Sequence, residues 1–341
     1  VFELLTARFW SKGVNLRQLW HETQNRPDWA IINDFDVDPY YLLQAIALVS
    51  LLPPNCRRGD VLNLAAENVR NWWDRVAGGM AEGLRLLRDE CGVITRDWLP
   101  SYPMLVTLAA IYAKPGLPGG PQAATARQKL VRWFWCSVLG GKYESGPNSQ
   151  AIKDYIELQR WLSGGDEPET VSLFRFDPRV LRETTFRQRM LYKALMCVIL
   201  SQRPRDFHTA QPLTADLMIE RRVDDHHIFP AAFLEATEPR VSARLRDCIL
   251  NRTLIDRKTN QSISKRSPSS YLPTIREAVG SQFGPLMQSH LIPHQPGAPV
   301  WTDDFEAFLQ ARQELFWSKI QQLTGLTNPS DELVDMEEDE A

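Results

Sequence analysis

The first two hundred residues carry apolar side chains at three- and four-residue spacing, and Gly or Pro clusters separate the runs. This spacing puts apolar groups on one face of a helix, so it predicts a succession of amphipathic helices. In the run from 60 to 90, a stripe of Trp, Val, Met and Leu follows Asp60, which can cap a helix. The predicted helices cover roughly 37–52, 60–90, 102–113, 122–140, 148–163 and 178–202. The Trp residues expected to be buried between them are Trp72, Trp133 and Trp135.

The pattern of apolar and polar residues changes after residue 203, where prolines interrupt the helical spacing. A short strand-like segment ends at Pro230, and a second one covers 251–256 after an excursion of the chain. Residues 257–266 then have the composition of a short helix. The order is therefore strand, excursion, strand, helix.

These patterns predict a mainly α protein of two domains. A helical bundle is expected over 1–205, with the boundary near 203–215, and a second domain over 206–325. The second domain should hold the small two-strand and helix element with flanking helices, including a last helix over 302–323. Seven acidic residues among the last eleven predict a disordered acidic tail over 326–341.

Composition narrows the class of protein. With 43% hydrophobic and 24% charged residues in 341, the chain resembles an ordinary soluble domain. Five scattered cysteines without a CxxC pair argue against a disulfide framework and against a cysteine zinc site. No long apolar stretch or basic leader occurs, so we expect a cytoplasmic protein without membrane partners. The chain opens at Val1 inside an amphipathic segment, and we expect it to be a piece of a longer protein.

Two of the six histidines, His226 and His227, are adjacent at the end of the first predicted strand. Neighbouring side chains in a strand point to opposite faces, so both rings can serve one site only if the strand ends or twists there. Pro230 makes such an ending reasonable. Asn251 follows His227 by 24 residues and Asn260 follows Asn251 by nine.

Together these residues resemble the HNH (His-Me finger) nucleases, in which a strand ending in a catalytic histidine is followed by a second strand opened by Asn and by a helix that supplies a metal ligand. More specifically, 225–230 (DHHIFP), 251–264 (NRTLIDRKTNQSIS) and 268–272 (PSSYL) resemble the C-terminal nuclease half of GmrSD-like type IV restriction proteins. Weaker resemblance extends to 36–44 (DVDPYYLLQ) and 132–137 (RWFWCS). The nucleotide-binding and modification-sensing region of that group has no counterpart here, so such a sensor is an expected partner or missing domain.

The resemblance implies a role for each residue. His227 would be the general base, and His226 and Asn260 would hold a divalent ion, Mg²⁺ or Mn²⁺. Asp225, or its neighbour Asp224, is the alternative ligand to His226. The last catalytic candidate is Asn251, which we expect to fasten the loop to the second strand.

The segment 251–266 contains five basic residues and one acidic residue. This excess of positive charge favours binding of a phosphate backbone. Arg257, Lys258 and Arg266 are the candidates for phosphate contacts. The implied function is a divalent-metal-dependent DNA endonuclease or nickase that restricts foreign DNA, such as phage or modified DNA. Two alternatives stay open: a catalytically degenerate module that binds DNA or a partner, and a nuclease directed at RNA.

Overall fold

The structure is a computed structural model that describes residues 1–115, 121–220, 222–237 and 240–327. Most described residues are helical, which confirms the predicted mainly α class. The chain divides into two compact units, Val1–Phe174 and Arg175–Ala341. None of the described helices combines the length and the apolar composition needed to span a bilayer.

In the described part of the first unit, all regular structure is helical. The α-helices are α1 Phe2–Trp10, α2 Leu16–Asn25, α3 Ile31–Asp34, α4 Pro39–Ser50, α5 Arg58–Leu62, α6 Ala66–Glu90, α7 Pro103–Ala113, α8 Pro121–Leu139, α9 Pro147–Leu162 and α10 Glu169–Ser172. Short 3-10 turns occur at Pro27–Trp29 and Arg96–Trp98.

Helices α4, α6 and α7 form the centre of this unit. Glycines let α6 and α7 approach closely, since a Cβ at Gly79 would lie 2.4 Å from the carbonyl oxygen of Ala109. A Cβ at Gly83 would lie 2.9 Å from the Leu108 Cβ. Any side chain at these two glycines would push the helices apart, so the pair of glycines sets the spacing of the core.

The second unit begins at Arg175. Its elements are α11 Arg189–Leu200, α12 Ala215–Ile219, β1 Val223–His227, α13 Ala231–Glu235, α14 Ala243–Arg246, β2 Arg252–Asp256, α15 Arg257–Ile263, α16 Pro268–Val279, α17 Phe283–Ser289 and α18 Phe305–Thr324. Short 3-10 turns cover Pro178–Arg182, Ile249–Asn251, Gly280–Gln282 and Pro299–Trp301.

The strands β1 and β2 pair antiparallel, with His226 opposite Thr253 and His227 opposite Arg252. Helix α15 starts directly after β2, because the Asp256 side chain caps it by accepting a 2.8 Å hydrogen bond from the Lys258 amide. The strand, strand, helix order predicted from the sequence is thus observed.

A buried arginine on α18 holds the start of β2. The Arg312 guanidinium, fully shielded from solvent, donates to the carbonyl oxygens of Leu250 at 2.6 Å, Arg252 at 2.9 Å and His290 at 2.9 Å. Among the described residues Arg312 has no acidic ion-pair partner; backbone carbonyl dipoles and the rings of Phe308 and Phe316, at 6.0 and 5.3 Å, face its charge. Charge-assisted hydrogen bonds of this kind are among the stronger ones in proteins.

The structure differs from the sequence predictions in the domain boundary, in the helix over 60–90 and in the burial of Trp72. The contact pattern divides the chain after Phe174, whereas the sequence placed the domain boundary near 203–215; α11, assigned to the first domain, packs against α18 in the second unit. The predicted helix over 60–90 is broken after Leu62, so Asp60 lies inside α5 and caps nothing.

Of the tryptophans expected in the core, Trp133 and Trp135 are buried, but Trp72 is half-buried. Its neighbour Trp73 is buried instead and donates a 2.9 Å hydrogen bond to the Thr23 hydroxyl. The predicted acidic tail lies, from residue 328 onward, outside the described residues.

Candidate functional site

The two adjacent histidines of β1 occupy opposite faces of the strand, as the strand geometry requires. The His226 ring is buried, while a fifth of the His227 side chain stays exposed. Both nevertheless border one cavity of about 300 Å³ at the end of β1, together with Asn260, Pro230 and Lys265. The three residues that the sequence brought together, His226, His227 and Asn260, therefore share a cavity.

On the buried face, His226 contacts the first turn of α15. Its Nδ1 lies 2.7 Å from Oδ1 of Asn260. The other amide atom of Asn260, Nδ2, donates to Asp224 at 3.1 Å, which fixes the amide with its oxygen toward the histidine. Asp224 in turn accepts from Arg257 at 3.2 Å. A chain of contacts thus sets the orientation of Asn260.

Burial lowers the pKa of His226 to about 3, so its imidazole is neutral at physiological pH. Its Nε2 is buried and has no hydrogen-bond partner among the described residues. The Asn260 amide oxygen only accepts, so the 2.7 Å contact puts the proton of the neutral ring on Nδ1. Nδ1 would present a lone pair to a cation only after that proton has moved to Nε2.

On the opposite face, Nε2 of His227 lies 2.7 Å from Oδ1 of Asp247. Burial works to raise the pKa of Asp247, but hydrogen bonds from Arg246 and His227 outweigh it and lower that pKa. The ionised carboxylate accepts only, so Nε2 donates and Nδ1 of His227 is left with its lone pair. Burial and the nearby Arg252 guanidinium lower the pKa of His227, which keeps the ring neutral.

Asn251 lies away from the cavity in a fully buried position. Its side chain accepts from the Phe229 amide at 2.8 Å and donates to the carbonyl oxygens of Phe229 at 3.0 Å and Arg246 at 2.9 Å. It therefore ties the segment after β1 to the start of β2, as expected for a residue that fastens the loop.

The other predicted ligand, Asp225, borders the cavity, but its carboxylate is engaged elsewhere. It accepts a hydrogen bond from the Tyr192 hydroxyl and lies 3.6 Å from Arg252. Asp224, the alternative named with it, lies on the same face as His226 and holds Asn260. Neither carboxylate adds to the donor pair of His226 and Asn260.

The three predicted phosphate-binding residues, all exposed, have different surroundings. Arg257 pairs with Asp224, and Arg266 donates to the carbonyl oxygen of Ser262 at 2.8 Å. The Lys258 backbone amide donates to the capping Asp256 side chain. The Lys258 ammonium has no ion pair among the described residues. Lys265 is the basic residue that borders the cavity itself.

Sequence reasoning missed two residues of this site. Lys265 belongs to the basic run between 251 and 266, but its spacing does not indicate a place at the cavity. It follows Ser264, where a positive φ of 55° turns the chain. No motif or spacing in the sequence indicates Asp247. It approaches His227 only because the turn Ile249–Asn251 returns the chain to the start of β2.

The donor set is small. The described residues contain no group of three or more His, Cys, Asp and Glu side chains arranged to hold a metal ion. A pair of donors 2.7 Å apart nevertheless fits one divalent ion, since metal-ligand bonds of about 2.1 Å at right angles put neighbouring donors about 3 Å apart. Water and phosphate oxygens normally complete the shell of Mg²⁺.

No protein-family model matches the chain. The chain is similar to the uncharacterized protein MJ0686 of Methanocaldococcus jannaschii, with 28% identity over 292 residues. The match covers 81% of this chain and 47% of the relative, so the chain spans about half the length of the curated relative it matches.

Proposed function

We propose that the chain carries an HNH-type nuclease site that hydrolyses phosphodiester bonds of DNA with a divalent metal ion. The observation that carries the proposal is one cavity with two features: a neutral donor pair, His226 and Asn260, and a second histidine, His227, held by Asp247. Phosphodiester hydrolysis needs an activated water and compensation of the charge that develops on the phosphate. This set of side chains is suited to both tasks.

Nδ1 of His226 and Oδ1 of Asn260 would hold the ion, Mg²⁺ or Mn²⁺. When bound, such an ion polarises the scissile phosphate and stabilises the charge on the departing oxygen. An imidazole and an amide oxygen suit Mn²⁺ at least as well as Mg²⁺, because the imidazole favours transition ions. Asp224 keeps the amide oxygen of Asn260 turned toward His226.

His227 would act as the general base. Its Nδ1 carries a lone pair because Nε2 donates to Asp247, so it is able to take a proton from an attacking water. Asp247 fixes the ring orientation and stabilises the imidazolium that forms once the proton is accepted. Arg246 and Arg252, at 3.2 Å from Asp247, keep that carboxylate ionised and in place.

Binding of the nucleic acid would use the exposed basic groups on and after α15. Lys265 borders the cavity, and Lys258 lies exposed on α15. Ammonium groups contact phosphates without reading sequence, so they supply affinity that depends on salt. The choice of DNA, and a role in restricting foreign DNA, follows from the resemblance to GmrSD-like proteins; site chemistry alone is the same for RNA.

A second candidate is a binding module whose catalytic capacity has degenerated. The observation in its favour is the small donor set, with no cluster of three His, Cys, Asp or Glu side chains in the described part of the chain. The two candidates differ in whether His227 affects cleavage or only structure.

The deciding experiment is a cleavage assay on supercoiled plasmid with Mg²⁺, with Mn²⁺ and with a chelator. We expect cleavage that needs the ion, and a loss of about 10²–10⁴ in rate for His227→Ala with DNA binding retained. His208→Ala, an exposed histidine of the same unit, is the matched control and should cut like the wild type. Equal rates for His227→Ala and wild type, or cleavage that survives the chelator, would overturn the mechanism.

A further inference from the structure

A second cavity, of about 330 Å³, lies against the residue that holds His227. It is formed between the segment 183–188 and helix α14, and Asp247 is part of its wall. The Asp247 carboxylate accepts a hydrogen bond from His227, which borders the cavity of His226 and Asn260. The second cavity therefore adjoins that first cavity. A strand whose phosphate reached His227 would bring a neighbouring nucleotide to it.

Phe186 borders this second cavity and is 58% exposed. Phe186 lies in a tight turn between Thr185 and Gln188, which fixes its backbone. The Gln188 side chain accepts from the Thr185 amide at 2.9 Å, and the Gln188 amide donates to the Thr185 carbonyl oxygen at 3.0 Å. Thr185 itself is buried, so the ring is presented from a fixed base.

The lining of this cavity holds two arginines, Arg187 and Arg244, and two carboxylates, Glu183 and Asp247. The Asp247 carboxylate is already bound by His227, Arg246 and Arg252. Arg244 pairs with Glu183 at 2.9 Å, but Arg187 has no acidic partner among the described residues. An exposed aromatic ring beside an available guanidinium is a combination that binds a base by stacking and its phosphate by charge.

We propose that this second cavity binds one unpaired nucleotide of the substrate strand, with its base stacked on Phe186 and its phosphate against Arg187. The proposal rests on the proposed function, since it places the nucleotide beside the phosphate that His227 would serve. A base inside a duplex already has both faces stacked, so Phe186 is able to stack only on a base that is unpaired or turned out of the helix. The site therefore prefers single-stranded or locally opened DNA.

The test is equilibrium binding of oligonucleotides in the presence of a chelator, so that no cleavage occurs. A single strand and its duplex, each with 2-aminopurine at one position, report both affinity and stacking. We expect tighter binding of the single strand and quenched 2-aminopurine. Phe186→Ala should weaken binding of the single strand about tenfold and abolish the quenching. Phe186→Trp should restore both. Trp10→Ala, which removes another exposed aromatic ring, should change neither.

Arg187→Ala gives a second measure. It should lower the salt dependence of binding by about one phosphate contact without removing the quenching. Wild-type affinity and quenching in Phe186→Ala, or failure of Trp to restore them, would overturn the proposal. If no cleavage occurs with either metal ion while the Phe186 pattern holds, the nuclease function is wrong and the nucleotide site stands. If cleavage needs His227 but Phe186→Ala changes neither binding nor rate, the nuclease function stands and the nucleotide site is wrong.

Discussion

Nε2 of His227 and Oδ1 of Asp247 lie 2.7 Å apart, although Asp247 follows His227 by twenty residues. The same carboxylate also accepts from Arg246 and Arg252, so three donors converge on it. The consequence for His227 is a defined tautomer and a defined ring plane. A histidine that acts as a base needs both, since the lone pair must face the water that it deprotonates.

Replacing Asp247 should slow cleavage without weakening DNA binding. We expect Asp247→Ala to reduce kcat about 10- to 100-fold at nearly unchanged KM, because partners that orient a functional histidine typically contribute that much. Asp247→Asn should fall between it and the wild type, since the amide oxygen still accepts from Nε2.

The matched control for Asp247 is Glu235→Gln. Glu235 also pairs with Arg246 but does not contact His227, so its loss should leave kcat unchanged. A variant of Asp247 that cuts at the wild-type rate would show that the contact with His227 is structural only.

Loss of Asn260 should be partly reversible by metal. Asn260→Ala removes one of two donors, so we expect the Mn²⁺ concentration for half-maximal rate to rise by about 10- to 100-fold, with the maximal rate largely recovered. The measurement is cleavage rate against Mn²⁺ concentration. His227→Ala should not recover at any concentration, because the ion does not replace the proton acceptor.

Gln261→Ala, on the neighbouring exposed position of α15, is the control and should titrate like the wild type. If Asn260→Ala keeps the wild-type Mn²⁺ dependence, Asn260 is not a ligand.

Asn251 should matter for stability. Asn251→Ala removes three hydrogen bonds and leaves buried backbone groups without partners, so we expect a loss of about 2–4 kcal/mol in the free energy of unfolding. Urea unfolding followed by circular dichroism measures it. Asn251→Asp should also destabilise, because a carboxylate cannot donate to the two carbonyl oxygens. A change below about 0.5 kcal/mol, typical of surface positions, would contradict this role.

Acid should destabilise the protein through His290. Its Nε2 lies 2.6 Å from the Arg205 carbonyl oxygen and its Nδ1 2.6 Å from the Thr253 hydroxyl, and burial lowers its pKa to about 4. The folded state then binds fewer protons than the unfolded state, so the stability is full above about pH 6.5 and is lost as the pH falls toward 4.

The shift corresponds to about 3 kcal/mol over that interval. His290→Gln should therefore show a shallower decline of unfolding free energy with falling pH than the wild type, whatever its starting stability. His226 contributes in the same direction and remains in the variant. A His290→Gln slope parallel to the wild type would refute the assignment.

The sequence predicted what depends on local order. Strand, strand and helix could be located from composition, and the sharing of one cavity by His226, His227 and Asn260 followed from that order and from the resemblance. The role of Asn251 also followed, because the resemblance puts an asparagine at the start of the second strand, and residues beside a metal site commonly hold its elements in place.

What the sequence did not predict depends on tertiary packing. Trp72 and Trp73 are neighbours on α6, and apolar spacing alone could not decide which of the two faces Thr23. Helix α11 has the same apolar pattern as the bundle helices, so nothing local indicated that it packs on α18. Asp247 is one of many acidic residues in loops, and only the folded chain brings it to His227.

The contacts of the Arg312 guanidinium limit how small a fragment containing β1, β2 and α15 can be made. Residues 223–263 contain both strands, His226, His227, Asn251 and Asn260, yet the carbonyl oxygens at the start of β2 are bound by Arg312, which lies 60 residues after Arg252. A fragment that stopped before α18 would leave those carbonyl oxygens, which flank Asn251, without their donor. The smallest excisable piece therefore runs at least to the end of α18 at Thr324.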